Sequence, residues 1–262
     1  MTVVDPGRTV ARRQSIDPMF ERLVVDKPIS LDRVVGRPVD HPIERFTDYP
    51  PGVARSLELR VKRWIDLTIA LVALTLLAPL LATLVLVLTI DSPGPAFYRR
   101  RVLGRGGKTF DAFKLRTMFC DGDAILATHP DLQARLDAEH KLDEDPRITR
   151  CGRWLRRLSL DELPQLWNVL RGEMSLVGPR PHALAHDNYY DELISNYVYR
   201  HHMKPGLTGW AQVNGFRGET PTIDLMEKRV EYDVWYVSNW SIWLDISIIF
   251  RTALALIHQE TY

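Results

Sequence analysis

The sequence contains very little cysteine. Its 262 residues include two, Cys120 and Cys151, and neither belongs to a CxxC or other metal-ligand spacing. A disulfide framework needs several cysteines and a structural zinc site needs closely spaced ones, so the sequence supports neither. The composition is compatible with a reducing cytosolic environment.

The sequence also lacks charge over one long stretch. Residues 67–90 carry no ionisable side chain over about 24 positions, whereas roughly 20 apolar residues are enough to cross a bilayer as one straight helix. Many charged residues precede this stretch, which is unlike a cleaved secretory signal. We therefore expect a membrane segment that the protein retains.

The path of this segment through the bilayer has two interpretations. Pro79 lies near its middle and is expected to kink the helix at Ala78-Pro79, because proline removes a backbone donor. Basic residues favour the cytoplasmic side of a membrane. Basic clusters at both ends favour a helix that enters, bends and returns, whereas a single kinked span would export one of them. The clusters are Arg55, Arg60, Lys62 and Arg63 before the segment, and Arg99, Arg100, Arg101, Arg105 and Lys108 after it.

Motifs for nucleic-acid binding are absent as well. The formal net charge is +1, and there is no helix-turn-helix, RNP-like or zinc-finger pattern, so no nucleic-acid partner is expected. Basic residues are concentrated between positions 55 and 116. Such a region attracts anionic lipid head groups or phosphates.

Proline content and hydrophobic periodicity divide the chain into three parts. Residues 1–54 are proline-rich with few aromatics, which predicts an extended or disordered tail. The membrane helix occupies 55–91, and a further domain occupies 92–262. In that domain, residues 96–102 and 108–117 read as a β-hairpin and residues 204–218 as a loop-rich strip. Helices are expected at 121–142, 151–158, 160–170, 224–237 and 240–257.

The last helix carries an apolar stripe that has two explanations. It either lies in the membrane interface with its tryptophans at head-group level, or packs on the soluble core. The pattern is the same in both cases, so the sequence leaves both open. The stripe consists of Trp243, Ile246, Ile249, Phe250, Ala253 and Ile257.

Asp161 and Glu162 form an adjacent acid pair at the start of the 160–170 helix. Ser159 and Glu162 match a capping box, which by itself gives the pair a structural role. Nearby arginines add a second interpretation, since they neutralise phosphate and let a carboxylate attack it. Asp161 is then a nucleophile that forms an acyl phosphate, and Glu162 holds Mg²⁺. The arginines are Arg153, Arg156 and Arg157 before the pair and Arg180 after it.

Four long stretches resemble the bacterial sugar transferases that are monotopic phosphoglycosyl transferases acting on polyprenyl phosphate. They are KRWID (62–66), GPAFYRRRVLGRGGKTFDAFKLRTM (94–118), DPRITRCGRWLRRLSLDELPQLWNVLRGEMSLVGPRP (145–181) and KPGLTGWAQVNGFRGET (204–220). The resemblance implies an α-rich α+β monotopic membrane protein. Its parts would be a kinked re-entrant membrane helix, a small catalytic domain with a short β-hairpin, and interfacial amphipathic helices.

The same resemblance implies a reaction. Asp161 would attack the sugar-linked phosphate of a UDP-sugar, release UMP and carry a covalent phosphosugar, which polyprenyl (undecaprenyl) phosphate then accepts. The sequence resembles members that transfer hexose 1-phosphate, glucose or galactose, in exopolysaccharide synthesis. Mg²⁺ would be held by Glu162. Leu115 stands where the family usually has phenylalanine. The substrate-binding residues carried over from the family motifs are Lys114, Arg116, Thr117, Arg156, Arg180 and Pro181.

The resemblance also implies a place in the cell and a set of partners. The protein would lie on the cytoplasmic face of the cell inner membrane and contact membrane lipids, and it could form a homo-oligomer. Two other functions stay open on the residues alone. One is a membrane-bound scaffold or regulator without catalysis, and the other is a hydrolase in which water opens the phosphoenzyme.

Overall fold

The computed structural model of the protein describes residues 56–139, 142, 145–218 and 222–257. The predicted tail, residues 1–54, lies outside the described residues and stays a prediction. The described residues are mainly helical and include two small two-stranded sheets. This confirms the α-rich α+β part of the predicted fold class.

The first helix, α1, is long and apolar enough to cross a membrane. It runs over Ser56–Asp91 without interruption, with Pro79 inside it. The hydroxyls of Thr75 and Thr83 donate to the carbonyls of Leu71 and Pro79, both at 2.9 Å. Both threonine hydroxyl groups are therefore hydrogen-bonded within the helix, as polar groups in an apolar environment must be. Re-entry at Pro79 stays a prediction.

One face of α1 packs on the rest of the protein along both of its arms. Ala70, before Pro79, is fully buried in the main hydrophobic core. Leu84 and Leu88, after Pro79, are buried in a second cluster with Leu115 and Leu155. Most other positions of α1 are exposed. The helix thus lies against one domain on both sides of its proline.

The predicted hairpin is confirmed. Strands β1 (Phe97–Leu103) and β2 (Thr109–Leu115) pair antiparallel from Phe97↔Leu115 to Leu103↔Thr109. The turn between them includes Gly106 and Gly107, whose φ angles of 66° and 74° are left-handed and favour glycine. The register places Lys114 at the end of β2.

The predicted single helix at 121–142 is wrong. The structure has two helices, α2 (Gly122–Ala127) and α3 (Pro130–Glu139). Pro130 explains the break, because proline disfavours helical backbone at the preceding residue and fits the first position of a new helix. Helix α4 (Arg150–Arg157) agrees with the predicted basic helix to within one residue at each end.

The rest of the chain forms a second small sheet and further helices. Parallel strands β3 (Ser175–Val177) and β4 (Gly206–Thr208) pair Ser175 with Gly206 and Val177 with Thr208. The strip predicted to be loop-rich therefore contains one strand and a π-helical turn, Gln212–Phe216. Elements in chain order are α5 (Gln165–Arg171), β3 (Ser175–Val177), α6 (Leu184–Leu193), a 3-10 helix (Tyr197–His202), β4 (Gly206–Thr208), α7 (Ile223–Asn239) and α8 (Ile242–Ile257).

Helix α8 has two apolar faces. Ile248 is fully buried in the main core, whereas Trp243, Ile246 and Phe250 are 79%, 45% and 65% exposed. The apolar stripe noted in the sequence is therefore largely outward-facing, and a different face attaches the helix to the core. Trp240 just before the helix is buried and donates from Nε1 to Asp245 at 3.1 Å.

Candidate active site

The acid pair lies in a tight 3-10 turn. Leu160–Glu162 forms this turn, and the following α-helix begins at Gln165 after Pro164. The predicted capping box is wrong, because Ser159 is left-handed (φ 54°) and its side chain makes no cap hydrogen bond. Its Oγ instead accepts from Arg217 at 2.9 Å. Pro164 explains the late helix start, since proline inside a helix clashes with the preceding turn.

Glu162 is held by two cations from different parts of the chain. Arg180 donates to both carboxylate oxygens, at 2.8 and 3.1 Å, and Lys114 donates at 2.7 Å. Burial raises the pKa of Glu162, but Arg180 and Lys114 outweigh burial and lower that pKa well below its usual range. Glu162 is therefore ionised throughout the physiological pH range.

Asp161 is buried beside the same lysine. Its carboxylate is 3.8 Å from Lys114 Nζ, and the residue is 8% exposed. Burial raises the pKa of Asp161 above its ordinary value, and the positive charge of Lys114 partly offsets that rise. Two adjacent carboxyl groups thus have pKa values shifted in opposite directions, which is typical of sites where such groups have different roles.

Arg156 and Thr117 are brought together at the edge of this site. The Arg156 Nε atom donates to Thr117 Oγ1 at 2.8 Å, and the Thr117 carbonyl accepts from Thr149 at 3.1 Å. Gly152 allows this approach, since a Cβ at that position would clash with the Thr117 carbonyl. The start of α4 and the chain after β2 are therefore in close contact.

Arg116 lies elsewhere. It is buried, and its guanidinium donates to the carbonyls of Ser92 and Pro93 at 2.7 and 2.6 Å. Further bonds run to Ser92 Oγ at 2.9 Å and Cys120 Sγ at 2.8 Å. These contacts hold the turn that follows α1, and the predicted substrate contact of Arg116 stays a prediction.

A pocket of about 530 Å³ opens beside Glu162. Among the residues proposed from the sequence, Lys114, Glu162, Arg180 and Pro181 line it. Arg100 adds a third basic residue to the wall, so basic side chains outnumber the single acidic one. Such a pocket suits an anionic ligand. The other lining residues are Val102, Ala112, Gln165, His182, Ala183 and His186.

The sequence profile of one family covers most of the chain. Residues 57–259 match the family described as bacterial sugar transferase. The chain belongs to the bacterial sugar transferase family. This confirms the resemblance noted in the sequence.

Several relatives of this bacterial sugar transferase are named for the sugar nucleotide that they use. It is 49% identical over 196 residues to the UDP-glucose:undecaprenyl-phosphate glucose-1-phosphate transferase of Xanthomonas campestris pv. campestris, covering 75% of this chain and 38% of that protein. It is 44% identical over 244 residues to the protein of the same name in Caulobacter vibrioides, covering 90% and 86%. It is 45% identical over 204 residues to the UDP-galactose-lipid carrier transferase of Erwinia amylovora, covering 76% and 41%.

The chain thus spans about two fifths of the Xanthomonas and Erwinia relatives. It spans most of the Caulobacter relative. The activity named for the longer relatives is therefore only proposed for this bacterial sugar transferase.

A buried charged network behind the pocket of this bacterial sugar transferase was not identified from the sequence. Arg200 is 1% exposed and donates to Asp233 at 2.8 Å and to the Arg180 carbonyl at 2.6 Å. It therefore fixes the backbone of a pocket residue. Burial raises the pKa of nearby Asp187 to about 7, although the Arg200 charge opposes the rise. Arg200 and Asp233 are 33 positions apart, so no local pattern reveals the pair.

Proposed function

We propose that the protein transfers a sugar 1-phosphate from a UDP-sugar to undecaprenyl phosphate and releases UMP. The observation that carries this proposal is the buried acid pair in a bacterial sugar transferase: Glu162 lines a basic pocket together with Lys114 and Arg180, and Asp161 lies beside the same lysine. Two relatives are named for UDP-glucose and one for UDP-galactose. Glucose is therefore the proposed sugar, and exopolysaccharide synthesis is the proposed process.

Asp161 acts as the nucleophile in this proposal. A carboxylate oxygen of Asp161 attacks the phosphorus that bears the sugar, and the bond from that phosphorus to the UMP oxygen breaks. UMP leaves with the bonding electrons. An oxygen of undecaprenyl phosphate then attacks the same phosphorus, and the Asp161 carboxylate is the leaving group. The enzyme thus returns to its initial state, and the product is a polyprenyl diphosphate sugar.

Cations lower the barrier to this attack. Two anions repel each other, so the phosphate charge must be neutralised before the carboxylate can approach. Lys114 is within 4 Å of both carboxylates, and Arg180 holds Glu162 with both of its terminal nitrogens. We propose that both side chains turn toward the diphosphate when substrate binds, with Arg156, Thr117 and Pro181 at the edges of the bound molecule.

The donor set fits Mg²⁺. Among the residues that the structure describes, no group of three or more His, Cys, Asp and Glu side chains is arranged to hold a metal. Mg²⁺ in phosphate-handling sites, however, uses one or two carboxylates together with substrate oxygens and water. Glu162, ionised and next to Asp161, is the residue that would hold it. The bound ion would neutralise charge on the diphosphate.

The packing of α1 supports a monotopic topology on the cytoplasmic face of the inner membrane. Ala70 and Leu88, from opposite arms of α1, are both buried against the domain that carries the acid pair. If α1 were a straight span, its second arm would be on the far side of the bilayer from that domain. A bend at Pro79 that returns the helix to the same face leaves both contacts intact.

The outward face of α8 suits the membrane interface. Trp243 and Phe250 project from it, and tryptophan prefers the head-group level of a bilayer. We propose that this face contacts lipid while the opposite face stays on the core. The helix would then bring the acid pair close to the head group of the lipid acceptor.

The test is UMP release by the full chain in the presence of Mg²⁺ and undecaprenyl phosphate. Asp161→Asn should lower the rate by about 10³-fold or more, because the amide cannot act as the nucleophile. Arg101→Met, on the outer side of the hairpin, is the matched control and should keep the rate. Full turnover by Asp161→Asn would contradict the nucleophile assignment. Release of free sugar phosphate without the lipid would indicate a hydrolase instead.

A further inference from the structure

Asn168 is a fully buried polar residue on α5 that the proposed chemistry does not use. It is 0% exposed, and burying an amide costs free energy unless the amide is hydrogen-bonded. Its Nδ2 group donates to the Asp111 carbonyl and to Glu173 Oε2, both at 2.7 Å, and its Oδ1 atom accepts from the Phe113 backbone amide at 2.9 Å. Both hydrogens and the oxygen of the side-chain amide are therefore engaged.

Two of these hydrogen bonds occupy an edge of strand β2. In the part of the chain that the structure describes, β2 and β1 form a two-stranded sheet, so the outer edge of β2 has no neighbouring strand in that sheet. A side-chain amide presents a donor and an acceptor, as a peptide group does. Asn168 bonds the backbone on both sides of Ala112. It therefore takes the place of a neighbouring strand and joins α5 to β2.

The bonded stretch of β2 leads directly to Lys114. This lysine follows Phe113 in the strand, donates to Glu162 at 2.7 Å and lies 3.8 Å from the Asp161 carboxylate. The acid pair itself lies in the turn just before α5. Asn168 thus connects the strand that carries the lysine to the helix that follows the acid pair, and this connection determines how closely the two approach.

We propose that Asn168 is a positioning residue, which holds Lys114 against the acid pair by fixing β2 on α5. This inference rests on the proposed function, in which Lys114 contacts the phosphates of the bound UDP-sugar. A displacement of about 1 Å in a reacting site can lower a rate by about 100-fold. The alternative is a role in stability alone, in which the amide only pairs the buried backbone groups of the strand.

Asn168→Leu tests the proposal through UMP release by the full chain with UDP-glucose. Leucine is similar in size but has no hydrogen-bonding group, so it leaves the Phe113 amide and the Asp111 carbonyl without this partner. We expect kcat/KM to fall by about 10- to 100-fold, with a higher KM as well as a lower kcat, because Lys114 moves away from the substrate phosphate.

Leu126→Ala is the control for lost stability. Leu126 is buried in a separate small cluster with Leu142. A variant that only destabilises the protein lowers the folded fraction, so its apparent kcat falls while its KM stays unchanged. This result is expected for Leu126→Ala. The same result for Asn168→Leu would overturn the proposal.

A double variant separates positioning from stability most directly. Lys114→Met removes the group that Asn168 is proposed to position. In that background Asn168→Leu should change kcat/KM by less than about threefold, because no lysine remains to be displaced. A role in stability alone predicts the same loss with and without the lysine. Equal losses in the two backgrounds would therefore contradict the proposal.

Glu173→Ala is the matched variant within the same hydrogen-bond network. It removes the third partner of the Asn168 amide and leaves both bonds to β2, so kcat and KM should stay at wild-type values. A loss as large as that of Asn168→Leu would contradict the proposal. If Asn168→Leu does not fold, Asn168→Ser carries the same predictions, since water can pair the freed strand groups while the link from α5 to β2 is still lost.

The proposed function and the role of Asn168 fail in different ways. Full turnover by Asp161→Asn contradicts the proposed nucleophile, whereas the comparison of Asn168→Leu with and without Lys114 reports on positioning. Absence of UMP release by the wild-type protein would overturn both.

Discussion

Asp161 and Glu162 are neighbours with the same functional group, yet their environments separate them. Glu162 makes direct hydrogen bonds with Arg180 and Lys114, whereas Asp161 lies 3.8 Å from Lys114. Direct contact with cations outweighs burial for Glu162, and burial outweighs the more distant charge for Asp161. The residue that titrates nearer to physiological pH is therefore the proposed nucleophile.

Lys114→Met should move the acid limb of the pH profile. Protonated Asp161 cannot attack, so kcat/KM falls as pH drops through the pKa of Asp161. Removing Lys114 removes a charge that lowers this pKa, so the limb should shift to higher pH. A fall of about 10- to 100-fold at neutral pH should accompany the shift, because the proposed contact between Lys114 and the substrate phosphate is lost. The measurement is UMP release across the acid range.

Arg101→Met is the matched control for this profile. Arg101 lies on the same hairpin but pairs with Asp111 at the surface, with side chains 50% and 39% exposed. Its removal should leave the acid limb in place. An unshifted limb in Lys114→Met would show that another group controls the acid side of the profile.

At the scale of elements, a buried polar cluster joins the N-terminal part of α1 to α8. Lys62 contacts Asp245 at 2.5 Å and the Val177 carbonyl at 3.0 Å. Asp245 also accepts from Tyr236 at 2.7 Å and from Trp240 at 3.1 Å. The cluster pairs a charge from α1 with one from α8, and the Asp245 carboxylate accepts hydrogen bonds at both of its oxygens. It therefore fixes where α1 leaves the domain.

Asp245→Ala should destabilise the protein by about 3 to 5 kcal/mol, because it leaves the Lys62 ammonium buried without its counter-charge. The measurement is thermal unfolding of the detergent-solubilised protein. Asp111→Ala removes the exposed partner of Arg101 and should change the free energy of unfolding by less than about 1 kcal/mol. Equal effects of the two substitutions would contradict the proposed importance of the buried pair.

At the scale of the whole molecule, the part of the chain that the structure describes has one helix long and apolar enough to cross a membrane. Both arms of α1 rest on the same domain, and α8 presents a second apolar face beside its core contacts. If both features contact lipid, as proposed, the domain would sit on the bilayer surface. This arrangement would bring a soluble nucleotide sugar and a lipid phosphate to one site.

Single cysteines should locate the two ends of α1 on one side of the membrane. Arg60→Cys and Pro95→Cys, each introduced after replacing Cys120 and Cys151 by serine, lie at exposed positions on either side of the apolar stretch. Neither should react with an impermeant thiol reagent added to intact cells, and both should react once the membrane is permeabilised. Labelling of one of them from outside would exclude re-entry.

The parts of the fold that were predicted correctly depend on short-range patterns. The apolar stretch, the hairpin and helix α4 each follow from residues close together in the chain. The prediction for 121–142 failed at Pro130, and the capping box failed at Ser159, where Pro164 was the local signal against an early helix start. Both errors concern where a helix begins.

The sequence by itself determined that the chain has a helix long and apolar enough to cross a membrane, because that property depends only on contiguous apolar residues, and it identified the acid pair through its motif. Only the tertiary structure decided which basic residues face that pair. Arg180 reaches Glu162 across 18 positions and Lys114 across 48, while Arg116, two residues from Lys114, turns to the end of α1. Strand β2 ends at Leu115, so Arg116 no longer follows the strand, and its nearness to Lys114 in sequence does not place the two side chains together.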